Sequence, residues 1–76
     1  MATTREISNT AASIIVEACE LDPSGTTTAE MYKGVTLVMD IPFTRGGSFA
    51  NQQFTRVNYK VTGWTVKKAK RLMASR

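Results

Sequence analysis

The first predicted helix has an apolar face too wide for a one-sided surface helix, and this feature constrains the fold more than any other. Thr3 and Glu6 fit a capping box, the hydroxyl residue preceding the helix and the carboxylate three positions on. Ile7, Ala11, Ile14, Ala18 and Leu21 then recur at spacings of four and three, which predicts a helix over roughly residues 4–21. Ala12, Ile15, Val16 and Cys19 widen that stripe, leaving only Asn9, Thr10, Ser13, Glu17 and Glu20 for the remaining arc. A helix packed on one flank shows a narrower stripe. Either a sheet covers much of this helix, or the flank with Ala12, Val16 and Cys19 meets a second copy of the chain.

Asp22-Pro23-Ser24-Gly25 ends the helix with turn chemistry. Residues 26–32 read first as a strand, on the strength of three threonines, although Ala29-Glu30-Met31 also suits one helical turn. Lys33-Gly34 follows as a tight turn. Val35, Leu37, Met39, Ile41 and Phe43 alternate with Thr36, Val38, Asp40 and Pro42, the period of a strand with its odd positions inward. Pro42 cannot donate to a ladder, which places it near a strand end or on an edge. Arg45-Gly46-Gly47-Ser48 sits in a hairpin loop over residues 44–52. The next strand, residues 53–62, puts Val57, Tyr59 and Val61 on one face and Phe54, Arg56, Asn58, Lys60 and Thr62 on the other. Gly63 breaks it, and Thr65 is expected to cap a last helix from Val66 to about Ser75. That helix separates Val66, Ala69, Leu72 and Met73 from Lys67, Lys68, Lys70 and Arg71.

The expected fold class is α+β, a single small domain over residues 1–76. It comprises an N-terminal helix, a two- or three-stranded antiparallel meander and a basic C-terminal helix, in the order α-β-β-β-α. Both helices should lie on the apolar face of the sheet.

Charge is the main functional clue. All six acids lie in residues 1–40, whereas eight of the ten Lys and Arg lie in residues 41–76, giving one strongly positive side to a chain of net charge +4. Histidine is absent, which removes the usual general base and the commonest metal ligand. Cys19 is the single cysteine and has Glu20 and Asp22 beside it, a poor setting for a nucleophile. The carboxylates near it have too few companions for a metal site, and no phosphate-binding loop, dinucleotide fingerprint or zinc spacing occurs. No enzyme, metal or cofactor is therefore expected. No apolar run reaches the ~18 residues of a membrane span. The lone cysteine and the lack of a signal-like N-terminus point to a cytoplasmic setting, or a host's cytoplasm for a viral protein.

Three groups of residues suit nucleic acid, and each has a plainer reading beside it. Lys67, Lys68, Lys70 and Arg71 suit phosphate contacts, or simply form a solvated helix face. Arg56 and Lys60, with Phe54 and Trp64 as stacking residues at the ends, suit a base-stacking sheet face, or an ordinary wet face with Trp64 turned into the core. Arg45 at the loop tip extends the positive surface, or belongs to a plain hairpin loop.

The stretch Gly63 to Ala74 resembles the start of the last helix in double-stranded-RNA-binding domains, which carry Lys-Lys-x-Ala-Lys. Here Lys67-Lys68-Ala69-Lys70 falls one residue short, and the Gly-Pro-x-His type of loop is missing. The resemblance implies helix, three strands, helix, with Lys67, Lys68 and Lys70 at phosphates. It covers about a dozen residues and is not adopted. The first expectation is a small nucleic-acid-binding protein contacting the phosphate backbone. The rival is a small protein-binding inhibitor or adaptor, of the kind phages and mobile elements encode, whose basic face masks an acidic surface or competes with nucleic acid. A structural subunit lining a nucleic-acid-filled interior is a third.

Overall fold

The computed structural model describes residues 3–44 and 52–76. Arg45 and the rest of the loop to residue 51 lie outside the described residues, as does the side chain of Phe43. The order is helix α1 (Thr4–Glu20), a short 3-10 turn (Ala29–Tyr32), strands β1 (Thr36–Thr44) and β2 (Gln52–Lys60), and helix α2 (Gly63–Ala74). The two strands form one antiparallel hairpin, Leu37 opposite Tyr59 and Met39 opposite Val57. The class is α+β, as expected.

The expected third strand does not form among the described residues. Residues 26–28 run without regular pairing, and Ala29-Glu30-Met31-Tyr32 coils into the 3-10 turn instead. Ala29 is buried, so this segment packs as a plug rather than as a strand. The Asp22 carboxylate organises the approach to it. Asp22 accepts from the Ser24 hydroxyl at 2.6 Å and from the Thr27 amide at 2.7 Å. These bonds, the Ser24 hydroxyl first, hold its pKa well below the usual carboxylate range. Lys33 (φ −61°, ψ 124°) and Gly34 (φ 83°) then make a type II turn, closed by the Val35 amide donating to the Tyr32 carbonyl at 2.9 Å. Gly34 holds a conformation that costs a side-chain-bearing residue.

Helix α1 begins with the expected box: the Glu6 amide donates to Thr3 Oγ1 at 3.3 Å, and the Thr3 amide donates to the Glu6 carboxylate at 3.1 Å. Its wide apolar face is explained within the chain. Ile7 and Ala11 lie against Leu37, Met39, Ile41 and Val57 of the sheet. Ala12, Ile15 and Val16, with Cys19 at the margin, lie against Val66 and Ala69 of α2. Of the three residues offered as an alternative oligomer face, Ala12 and Val16 are taken up inside the chain, whereas Cys19 stays partly exposed. Ala12 is 0% and Val16 1% exposed in the single chain, because α2 covers them. The true stripe is also rotated from the expected one: Ser8 is buried, while Leu21 is 73% exposed. Ala12 packs in one cluster with Ala69 of α2, and Ser8 faces Tyr59 of the sheet.

A chain of hydroxyls ties the layers together. Tyr59 on β2 bonds Ser8 of α1 at 2.7 Å and Thr65 of α2 at 2.8 Å, and Thr65 bonds Thr62 at 3.1 Å. Burial pushes the Tyr59 phenol up, but the bonds to Ser8, Thr65 and Thr62 outweigh it and leave the pKa below its ordinary value. Replacing Tyr59 with Phe leaves the ring but strands Ser8. Deleting one such partner costs about 1 kcal/mol, which in a domain of this size lowers Tm by roughly 4–8 °C. Thermal unfolding followed by circular dichroism checks this.

At the other end, Arg76 pairs with Glu20. Ser8 and Thr65 mark the N-terminal ends of the two helices, and Glu20 and Arg76 the C-terminal ends, so α1 and α2 run in the same direction.

Candidate nucleic-acid interface

Helix α2 starts three residues earlier than the sequence suggests. Thr62, not Thr65, is the N-cap: its hydroxyl accepts from the Thr65 amide at 3.3 Å. Thr65 is fully buried. Gly63 opens the helix rather than separating it from the strand. Lys67 and Lys68 consequently fall in the second turn, beyond the strongest influence of the helix dipole.

The shift also moves Trp64. As a residue of α2 it is 52% exposed, neither buried in the core nor at the end of the sheet face. Positions 64, 67, 68 and 71 are spaced i, i+3, i+4 and i+7, so they fall within about 100° of the helix circumference. Together Trp64, Lys67, Lys68 and Arg71 line a shallow depression of about 20 Å³. Among the described residues, none of these three cations has an acid within ion-pair distance.

Lys70, grouped with them by sequence, points elsewhere. It pairs with Glu30 on the 3-10 turn, and that hydrogen bond and charge hold the Glu30 pKa below its ordinary value. If α2 contacts nucleic-acid phosphates, Lys70→Gln should therefore change the log–log salt slope of binding by well under the ~0.7 that one lost phosphate contact gives on a single strand. Parallel titrations of the variant and the parent at several salt concentrations measure the difference.

Arg56 and Lys60 lie on the outer face of the hairpin, turned away from the helices. The cross-strand register sets Arg56 opposite Asp40, and the two form an ion pair at 3.2 Å. Phe54, opposite Pro42, is 64% exposed and borders a second depression with Asp40 and Arg56. The cation–aromatic grouping expected of this face therefore keeps Phe54 but loses Trp64 to α2, and its arginine already has an acid partner.

One cation was missed by sequence. Lys33, exposed at the type II turn, brings its Cε within 3.8 Å of the space a side chain at Gly63 would occupy. It adds positive charge beside the start of α2. The Lys33-Gly34 turn was legible, but its placement depends on the bond from the Gly34 amide to the Val61 carbonyl at 2.9 Å.

No known protein family matches this chain, and no curated protein or solved structure is significantly similar to it. No helix among the described residues is long and apolar enough to cross a membrane.

Proposed function

We propose that this protein is a small nucleic-acid-binding protein without enzymatic activity, which contacts the phosphate backbone through α2. The observation that carries this reading is the strip on that helix: Lys67, Lys68 and Arg71 without acid partners among the described residues, beside a half-exposed Trp64. Cations in such a strip repel one another at i,i+3 and i,i+4 spacing, a small destabilisation that an anionic partner removes. Phosphates release condensed counterions when neutralised, so affinity from this strip falls linearly with log salt. Lys33 extends the positive surface, and Lys60 and Arg56 offer a weaker secondary one.

The test is an anisotropy titration with labelled single strands and duplexes of DNA and RNA over a range of salt. Micromolar or tighter binding with a linear salt dependence supports the reading. Absence of binding at low salt, where attraction between charges is strongest, would overturn it and favour a protein partner. That second reading has its own observation. Val38 and Phe54, 65% and 64% exposed, lie on the open face of the two-stranded sheet on either side of the Asp40–Arg56 ion pair, a mixed surface of the kind an inhibitor or adaptor offers a protein partner.

A further inference from the structure

We infer that the α2 strip takes single-stranded nucleic acid, with one unpaired base lying flat on the Trp64 indole; this rests on the nucleic-acid reading and names the form of its ligand. Trp64 is the only tryptophan of the chain, and it is not spent on the core: 52% of it is exposed, while the helix positions beside it, Thr65 and Val66, are buried. An indole at a protein surface offers a stacking platform that accepts any base, because every base has a π-face.

The surroundings favour a strand over a free base or an apolar ligand. Lys67 and Lys68 follow one turn after Trp64, and Arg71 one turn later again, about 5.4 Å further along the axis. A base on the ring thus has cations beside it for its own phosphate and for the next. The depression, about 20 Å³, is too small to enclose a base, so the contact is by stacking rather than by insertion. Bases inside a duplex are stacked on their neighbours and hide their faces. A duplex would use only the cations and leave the indole idle, whereas unpaired bases are free to be splayed out and stacked on aromatic side chains.

The experiment compares the full chain with Trp64→Ala and Trp64→Phe, using labelled oligothymidylate and oligouridylate against a blunt-ended mixed-sequence duplex of similar length. Trp64→Ala is expected to weaken binding to the single strands about 5- to 150-fold, the range for one lost base stack. Its duplex affinity and its salt slope should stay as in the parent, and Trp64→Phe should recover most of the loss. In the parent protein the single strands should quench the tryptophan emission, while the duplex leaves it nearly unchanged. Equal single-strand affinity in Trp64→Ala, or a preference of the parent for the duplex, would overturn the stacking while leaving salt-dependent nucleic-acid binding intact. No binding of any probe at low salt would overturn both. Circular dichroism of each variant separates these outcomes from misfolding.

Discussion

Replacing Lys67, Lys68 and Arg71 together with glutamine is expected to remove most of the nucleic-acid affinity while leaving the fold at least as stable. Three phosphate contacts on a single strand correspond to a log–log salt slope of about 2, hence a loss of roughly 20-fold in affinity between 50 and 200 mM salt. The triple variant should lose that slope and bind weakly at both concentrations. Its stability should not fall. Glutamine matches lysine and arginine in helix propensity, and the exchange removes like-charge pairs between positions 67 or 68 and 71, each worth about 0.2–0.5 kcal/mol. A melting temperature equal to or slightly above the parent's, combined with a flattened salt slope, would separate a binding role from a structural one. An unchanged slope would count against the strip.

Ile15→Ala should have the largest effect on folding. Ile15 is 0% exposed and sits where α1 meets α2, in a cluster with Ala12, Val16, Val61, Val66 and Ala69. Truncating a buried isoleucine costs about 2–5 kcal/mol. A domain of this length holds roughly 4–11 kcal/mol in total, so the variant is expected to lose a large share of its stability and to unfold at a clearly lower urea concentration. Its neighbour provides the control. Ile14 is 37% exposed at the edge of the stripe, and Ile14→Ala should give a clearly smaller loss. Urea unfolding of both variants measures this difference. If the two substitutions were equal, the packing of α2 on the Ala12–Ile15–Val16 flank would be wrong.

The contrast between these two isoleucines also shows what was legible in the sequence. Counting apolar residues at helical spacing put Ile14 and Leu21 on the core stripe, because the count passes over a buried polar residue such as Ser8 that belongs to the covered face. The actual buried face runs through Ser8, Ala11, Ala12, Ile15 and Val16, where the sheet and α2 both cover the helix. The capping box and the alternation of β1 and β2 were readable because they depend on neighbours in sequence. Residues 26–32 were not, because Ala29 is held by tertiary burial against threonine propensity. The start of α2 was misplaced by three residues, since Thr62 and Thr65 are both acceptable caps and only the buried bonds of Thr65 decide between them. That shift is what hid the grouping of Trp64 with Lys67, Lys68 and Arg71. The ion pairs that set Lys70 and Arg76 apart span 40 and 56 residues, beyond any local pattern.

The most direct test of the α2 strip as the contact surface is backbone and indole chemical-shift mapping by ¹H–¹⁵N NMR during titration with oligothymidylate at low salt. The expected result is a set of shifts concentrated on the amides of residues 63–71 and on the Trp64 indole N–H, with weaker changes at Lys33. Shifts confined instead to the outer sheet face, at Val38, Phe54, Arg56, Asn58 and Lys60, would contradict it.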